Sequence, residues 1–413
     1  MRKWTRKNTR EKRSEMEKEN KRLFLVILVL AAFLGMLVSA FRHPVVSFTG
    51  KTDAGGQEKT AYDEAEPEVT LWYTDASLTD YFETCARQYY GKTGVAVDVI
   101  LKDSLGFVET VYQTSMDDTG YPDIYMIQND SLGKAWLYGL AAENEDADAF
   151  AAGYAANAVT ASSCDGKMYA YPLTFRTTVF VYQTSAFAET PASIQSILEL
   201  AETSEIGIMA GNLIEWDVTD EFYGFPFVGS SLSFEIQDGG KLCVNCDEEL
   251  YQKELTYYQG LADTVAIDTE TITRQQVLDD FSSGATLSAI MDSEDLSRIS
   301  GIDYQVGRLP AMNEELSMKG CSYTELLVVN DFSREQKKAA DFAAYVTTEC
   351  AKDLEPETGH ISVKSDAVTA ERSRVIYSQY EDSAPIPNTM DVEEFLRELK
   401  NKLTAVWNGA DIS

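Results

Sequence analysis

The sequence predicts an α/β protein whose folded part has two lobes and follows a membrane-spanning segment. Three observations lead to this prediction. The chain has 413 residues, which is too long for one small core. Strand-like and helix-like segments alternate from residue 68, as in a sheet with parallel strands. An uncharged apolar run at 23–41 precedes them.

The N-terminal region divides into three segments. Residues 1–22 contain ten Lys/Arg and four Glu and form a predicted cytoplasmic basic tail. Residues 23–41 would span about 28 Å as a helix, close to the hydrocarbon thickness of a bilayer. A cleaved signal peptide is the alternative, because "VSA" at 38–40 fits a cleavage site. Residues 42–67 are polar and acidic and are predicted to be a flexible tether.

These segments predict a single-pass protein of the cell membrane, since a basic flank stays on the cytoplasmic side. The main domain is then extracellular. From residue 23 onward the chain has 25 basic and 63 acidic residues, a net charge of −38. A surface of that sign repels phosphate backbones, so we expect no nucleic-acid partner.

The first folded segments predict an open parallel sheet. "EVTLWYT" (68–74) is a strand, "SLTDYFETCARQYYGKTG" a helix and "VAVDVIL" (95–101) a second strand. "YPDIYMIQ" (121–128) is a third strand, followed by a helix that Asn129 or Asp130 can cap. Ligands of such sheets bind beyond the carboxyl ends of the strands.

The later segments continue the pattern. "DGKMYAYPLTFRTTVFVYQTSAF" (165–187) is apolar enough to be buried, yet it contains Arg176. "FSSGATLSAIMDSEDL" reads as a helix end, a strand and a loop, and "YQVGRLPAM" and "TELLVVND" read as strands. Two amphipathic helices close the chain, the second of them "DVEEFLRELKNKLTAVW".

The sequence contains no catalytic signature. It has neither a phosphate-binding glycine motif nor GxSxG, and its two histidines leave little for a catalytic triad or a zinc site. We therefore expect a binding protein without catalytic residues, cofactor or metal. "CVNC" (243–246) lies in a strand-like run, so a local disulfide or two buried thiols is expected there, not a redox centre.

An ordered set of segments resembles the sugar-binding, maltose-binding-protein-like family of extracellular solute-binding proteins that serve ABC importers. They are "GYPDIYMIQNDSLGKAWLYGLAAE", "DGKMYAYPLTFRTTVFVYQTSAF", "FSSGATLSAIM", "YQVGRLPAM" and the two C-terminal helices. The resemblance covers roughly 68–409. It implies a bilobal domain at 68–413 with a ligand cleft, one lobe formed by about 68–173 and 290–331, the other by about 176–288 and 332–413. The chain would cross near Pro172–Arg176 and Ile290–Ser293.

The resemblance implies capture of a small solute, a sugar or oligosaccharide, by hinge closure and delivery to an ABC permease, by a monomer. Trp72 and Asp130 match family positions that line the sugar site. Other candidates are aromatic rings for sugar faces and polar groups near the crossings. The predicted ligand-binding residues are Trp72, Tyr73, Asp130, Phe175, Arg176, Trp216, Asp292 and Tyr323.

The sequence also departs from the maltose-type pattern. Arg176 stands where that type has a glutamate, Ile127 and Leu396 replace aromatic residues, and Gln183 replaces an asparagine. Arg176 can grip an anionic ligand group or can form a salt bridge between the lobes. Two other functions stay open: a surface module for sensing or adhesion without transport, and a surface glycan-active enzyme.

Overall fold

The computed structural model describes residues 61–147, 151–203, 212–237 and 240–412. The predicted basic tail, the predicted membrane segment and the tether up to residue 60 lie outside these ranges. Within them, no helix is long and apolar enough to cross a membrane. The strands are β1 (Val69–Tyr73), β2 (Val97–Leu101), β3 (Ile124–Gln128), β4 (Ser163–Cys164), β5 (Lys167–Met168), β6 (Tyr171–Gln183), β7 (Leu232–Gln237), β8 (Lys241–Cys246), β9 (Ser288–Asp292), β10 (Tyr304–Gly307), β11 (Cys321–Val329) and β12 (Ala384–Pro385).

The α-helices of the same ranges surround these strands. They are α1 (Thr79–Thr93), α2 (Phe107–Met116), α3 (Leu132–Leu137), α4 (Ala156–Ala161), α5 (Ile194–Thr203), α6 (Glu221–Gly224), α7 (Glu248–Ala262), α8 (Arg274–Ser283), α9 (Gln336–Thr348), α10 (Ala351–Thr358), α11 (Glu371–Asp382) and α12 (Val392–Trp407).

The end of the predicted tether belongs to the folded body. The Tyr62 hydroxyl donates a hydrogen bond to the Val97 carbonyl at 2.5 Å, and its ring contacts the edge of Tyr90 at 5.6 Å. The prediction of a flexible segment up to residue 67 is therefore wrong for its last residues. An aromatic side chain in this polar stretch packs on α1 and β2.

The first lobe contains the expected parallel sheet. β1 lies between β2 and β3 and is parallel to both. The connecting helix α1 ends at Gly94, whose φ of 78° is a left-handed conformation that glycine favours. Successive strand residues face opposite sides, so Tyr73 packs beneath α1 and Trp72 packs on the side of α2 and α3. The sheet is thus buried on both faces.

The long strand β6 joins the two lobes. From Tyr171 to Thr177 it pairs with β11 of the first lobe. From Thr178 onward it pairs with β9, and its end also pairs with β10. The change of partners between Thr177 and Thr178 comes just after the expected crossing at Pro172–Arg176.

The return crossing lies elsewhere than predicted. The expected crossing at Ile290–Ser293 falls at the end of β9, which pairs with the second half of β6. The chain returns at Cys321, whose carbonyl accepts a hydrogen bond from the Thr177 hydroxyl at 2.9 Å. Residues 290–320 therefore belong with the second lobe, because side chains such as Val306 pack in its core.

Two C-terminal helices also pack differently from the expected division. Phe342 of α9 contacts the ring of Tyr89 at 5.2 Å, and the Val346 carbonyl accepts a hydrogen bond from Tyr81 at 2.9 Å. Both partners lie on α1. Leu354 of α10 is buried in the same core, so helices α9 and α10 complete the first lobe, whereas residues 332–413 were all expected in the second.

The second lobe has an aromatic core around Trp216. This side chain contacts Phe227 at 4.7 Å and Trp407 of α12 at 5.3 Å. The antiparallel hairpin β7–β8 contains the CVNC segment. Cys243 is half-buried and Cys246 is exposed, so they are not two buried thiols. Their side chains leave opposite faces of β8, which does not suit the other expected alternative, a local disulfide.

Candidate functional site: the hinge cleft

Strand pairing brings polar side chains from three strands to one face of the hinge. Tyr323 lies opposite Arg176, and Glu325 lies opposite Gln128. Residues opposite each other, or two apart along a strand, share a face of the sheet. The Gln128 amide donates a hydrogen bond to Glu325 at 2.8 Å. We call this face, with Asp130 and Glu294 beside it, the hinge cleft.

Arg176 is held by internal contacts. Its guanidinium lies over the rings of Phe222 and Tyr323, at 4.7 and 4.3 Å from their centroids. Its Nη1 is 2.8 Å from Oδ2 of Asp292, a carboxylate with no exposed surface. Burial alone would lower the pKa of Arg176, but this carboxylate raises it overall. These contacts match the salt-bridge alternative rather than a group left free for an anion.

Asp292 and Asp295 anchor a chain of ion pairs behind Arg176. Arg274 Nη2 is 3.4 Å from Asp292 Oδ2, and its Nε is 2.6 Å from Asp295 Oδ2. Arg298 adds a contact of 2.7 Å to Asp295. The Asp292 side chain also accepts a hydrogen bond from the backbone NH of Glu294. Asp292 was a predicted ligand residue, but in the structure its carboxylate forms ion pairs with Arg176 and Arg274.

The hinge cleft is rich in carboxylates. Burial raises the pKa of Glu294 and of Glu325 to about 7, although Arg176 opposes both shifts. Burial also raises the pKa of Asp130. The side chains whose charge interacts with that of Arg176 include Asp130, Asp220, Glu221, Asp292, Glu294 and Glu325. The groups around Arg176 that are left to meet a ligand are thus mainly carboxyl groups, which accept hydrogen bonds when they are ionised.

Asp130 does not cap the helix that follows it. Helix α3 begins at Leu132 without a side-chain cap, after a 3-10 turn at Asn129–Ser131. Asn129 cannot cap because its amide is used elsewhere: it accepts from the Thr324 NH at 2.8 Å and donates to the Ile386 carbonyl at 2.6 Å. The predicted cap is therefore wrong, and Asp130 keeps its carboxylate at the hinge cleft.

Trp72 and Tyr73 pack in the two cores of the first lobe. Trp72 is 4% exposed, and Lys102 Nζ covers its ring at 3.9 Å. Tyr73 is 1% exposed, contacts Phe82 at 5.0 Å and donates a hydrogen bond to Thr79. Neither ring presents a free face to a ligand in this structure.

Phe175 and Trp216 are also packed by other rings. Phe175 follows strand alternation and faces away from Arg176, where it stacks on Tyr380 at 4.0 Å. Its ring also lines a cavity between the lobes. Trp216 is fully buried in the core of the second lobe. Of the eight predicted residues, the structure brings together Asp130, Arg176, Asp292 and Tyr323.

A cavity of about 460 Å³ opens between the lobes near the hinge cleft. Asp75, Ser77 and His360 line it from the first lobe, and Glu294 and Arg298 from the second. His360 Nε2 is 2.7 Å from the Ser77 hydroxyl, and burial lowers the pKa of this histidine. The site therefore has walls from both lobes. Within the described part of the chain, no cluster of His, Cys, Asp or Glu could hold a metal ion.

Residues 84–352 match the family model of the bacterial extracellular solute-binding proteins, which is more than half of the chain. The chain belongs to this family. Among relatives of this solute-binding protein, a galactooligosaccharide-binding protein of Bacillus subtilis is 22% identical over 364 residues. The matched region is 83% of this chain and 85% of that relative.

Solved structures have the same fold as this solute-binding protein. An extracellular solute-binding protein from Staphylococcus aureus, in complex with maltose, gives a TM-score of 0.72 at 20% identity, covering 84% of this chain and 94% of that one. A cyclo/maltodextrin-binding protein complexed with maltotetraose gives 0.74 at 17% identity, covering 84% and 93%. The α/β bilobal fold predicted from the sequence is confirmed.

Several residues of the hinge cleft of this solute-binding protein were not predicted. Glu325 could have been predicted, because it is the only acidic residue in the apolar strand "CSYTELLVV". Arg176 stands out in β6 in the same way, as its only basic residue. Phe222 had none, because it lies in an aromatic-rich segment where only the tertiary fold selects the ring that meets Arg176.

Proposed function

We propose that this chain is a membrane-tethered extracellular solute-binding protein that captures a small carbohydrate in the hinge cleft and delivers it to an ABC-type permease. The observation that carries the proposal is the placement of the cleft. Its carboxylates lie where β6 leaves the first lobe, and the neighbouring cavity, which Glu294 also lines, has walls from both lobes. Rotation of the lobes about such strands can enclose a ligand.

The acceptor groups of the cleft suit a ligand with many hydroxyl groups. Carboxylates form strong hydrogen bonds with such donors, and Asp130, Glu294 and Glu325 are available for them. The sugars named for the relatives, a galacto-oligosaccharide and maltose, are ligands of this kind. We therefore propose an oligosaccharide as the ligand class.

The ligand should be neutral or carry an amine, not an acid. Arg176 is covered by two rings and paired with Asp292, so it offers little to an anion. The surrounding carboxylates would repel a sulfate or a phosphate. This inference replaces the anion-binding alternative for Arg176.

The N-terminal segments complete the proposal. The apolar run at 23–41 would anchor the protein in the membrane, and the acidic tether would hold the lobes at a distance from it. A cleaved signal peptide would instead release the domain. N-terminal sequencing of protein recovered from the membrane fraction decides between them: an intact segment 23–41 supports the anchor.

A glycan-active enzyme is the second candidate, and one observation favours it. Glu294 and Glu325 both have pKa values of about 7 and interact electrostatically, as a carboxyl pair for acid–base catalysis can. Incubation with an oligosaccharide panel tests this candidate. Release of new reducing ends that is lost in Glu325→Gln would favour catalysis over capture.

A melting-temperature screen tests the proposed function. A ligand that binds only the folded cleft raises the melting temperature by mass action, by an amount that grows with ligand concentration. The panel should hold galacto-oligosaccharides, maltodextrins, amino sugars and sulfated sugars. We expect at least one neutral or amine-bearing sugar to stabilise the protein. If no member of the panel did so, the proposal of carbohydrate capture would fail.

A further inference from the structure

Cys85 and Cys350 are buried in the same hydrophobic core of the first lobe. Each is 2% exposed, and both belong to the cluster between α1 and the α9–α10 junction. Contacts on either side bring the two segments together at this point. Tyr81, one turn before Cys85, donates to the Val346 carbonyl at 2.9 Å, and Gln88 Oε1 lies 4.0 Å from Cys350 Sγ.

The two thiols also influence each other electrostatically. The interaction with Cys350 raises the pKa of Cys85, and burial adds to that shift, whereas the interaction with Cys85 lowers the pKa of Cys350 and burial opposes it. Both thiols are free in this structure, and a disulfide requires their sulfur atoms to approach to bonding distance.

No other pair of described cysteines is placed this way. Cys164 belongs to the core on the opposite face of the sheet, and Cys321 to the core of the second lobe. Cys243 and Cys246 lie three residues apart on β8, so their side chains leave opposite faces of the strand.

We propose that Cys85 and Cys350 form a disulfide bond in the exported protein, which ties α1 to the α9–α10 junction. The inference rests on the proposed extracellular location of the domain, because disulfides persist in oxidising compartments. It adds a covalent link between segments that are far apart in the sequence but form one lobe. The lobe would then keep its shape while the hinge moves.

The oxidation is a thiol–disulfide exchange with a protein oxidoreductase in its disulfide form. The thiolate of one cysteine attacks that disulfide, forms a mixed disulfide and releases one oxidoreductase thiolate. The thiolate of the second cysteine then attacks the mixed disulfide at the first cysteine's sulfur. The Cys85–Cys350 bond forms, two protons and two electrons leave the protein, and the oxidoreductase is left as a dithiol. Since both cysteines end in the core, the exchange belongs to folding.

Mass spectrometry of the full-length protein from its own membrane tests the proposal. Free thiols are alkylated under denaturing conditions, and the protein is digested without reductant. We expect a peptide that links Cys85 to Cys350 and disappears after reduction. Alkylation of both cysteines, or a link between other cysteines, would overturn the disulfide. Protease added to intact cells reports location separately: protection of the lobes from digestion would contradict the extracellular placement instead.

Melting curves provide the second test. The protein refolded with reductant should melt about 5 °C below the protein refolded without it, because the disulfide restricts the unfolded chain. Cys85→Ser and Cys350→Ser should each remove this dependence on reductant. The matched control Cys164→Ser, another buried thiol, should keep it. A wild-type curve that is the same with and without reductant would contradict the proposal.

Discussion

Arg176 shows how a residue can stand out in a sequence while its role stays open. A permanent charge in an apolar strand indicates a special role, and the sequence permitted either an anion grip or a salt bridge. The structure gives the guanidinium two aromatic neighbours and a buried carboxylate. These contacts come from residues far away in the chain, so no local pattern could have selected between the two roles.

Replacement of Arg176 by alanine should destabilise the fold. Asp292 has no exposed surface, and loss of its main partner leaves a buried charge with the backbone NH of Glu294 and the more distant Arg274, at 3.4 Å. We expect the free energy of unfolding to fall by about 3 kcal/mol, measured by urea denaturation. The control Arg334→Ala removes an exposed ion pair with Asp118 and should change it far less. Equal effects of the two variants would contradict the stabilising role of the ion pair between Arg176 and Asp292.

The aromatic candidates show the limit of residue-level prediction. The same aromatic residue types stack on sugars and fill protein cores, and only the exposure of the ring distinguishes the two roles. Trp72, Tyr73, Phe175 and Trp216 were reasonable candidates by position, but all four are buried. Their burial follows from strand alternation and from packing against helices that are distant in the sequence.

At the scale of elements, strands and helices near the N-terminus were predicted well, because apolar periodicity there is local. The hinge elements were not, because their role depends on pairing. β6 is continuous, yet its two halves have different partners. The cap expected at Asn129 failed for the same reason, since Thr324 and Ile386 use its amide.

Gly320 should be intolerant to substitution because it lies directly before the return strand β11. A Cβ atom there would lie 2.4 Å from the Thr178 hydroxyl, too close for any real contact. We expect Gly320→Ala to lower the free energy of unfolding by about 2 kcal/mol. Gly260→Ala is the matched control: it lies in α7 with open space around it, so helix propensity should make it slightly stabilising. Thermal denaturation that ranks the two variants in the opposite order would contradict the close approach of Gly320 to Thr178.

Glu215 should make stability depend on pH. Burial raises its pKa from 4.5 to about 7. Its backbone lies beside β9, and its side chain accepts a hydrogen bond of 2.6 Å from the Asn212 amide. Between these values the unfolded state releases the proton while the folded state keeps it. Stability should therefore fall as pH rises from about 4.5 to about 7 and then level off.

Unfolding measurements across this pH range check the assignment. In Glu215→Gln the fall should be smaller by about 2 kcal/mol than in the wild type. Part of the slope should remain, because Glu254, Glu294 and Glu325 also have pKa values of about 7. Glu314→Gln, which removes an exposed carboxylate, should leave the slope unchanged. A wild-type protein whose stability rises over this range would show that these carboxyls are ionised when folded.

At the scale of the whole molecule, the order of segments was enough to predict the family and the bilobal fold. It was not enough to assign segments to lobes. Helices α9 and α10 follow the return strand and remain with the first lobe, because Phe342 and Val346 complete the core on α1. Such assignments depend on which apolar faces meet, and that information is not local.

The charge of the cleft should decide which ligands bind. An amine on the sugar should tighten binding about tenfold at low salt, because the carboxylates around Asp130 and Glu325 attract it. A sulfate on the same sugar should weaken binding. Calorimetric titration with the neutral, aminated and sulfated forms of one oligosaccharide, at low and high ionic strength, measures both effects. Preference for the sulfated form would contradict this charge argument and would point to an arginine, either Arg176 or one that lines the cavity such as Arg298, as a ligand contact.

Hydrogen–deuterium exchange of the full-length protein, with and without the sugar found by the melting screen, tests ligand capture between the lobes most directly. We expect slower exchange in peptides from both walls of the hinge cleft, around Asp130 and Glu325 on one side and Phe222 and Glu294 on the other. The response should be lost in Glu325→Gln and kept in Glu314→Gln. Protection confined to one lobe, or equal protection in both variants, would contradict capture in the hinge cleft.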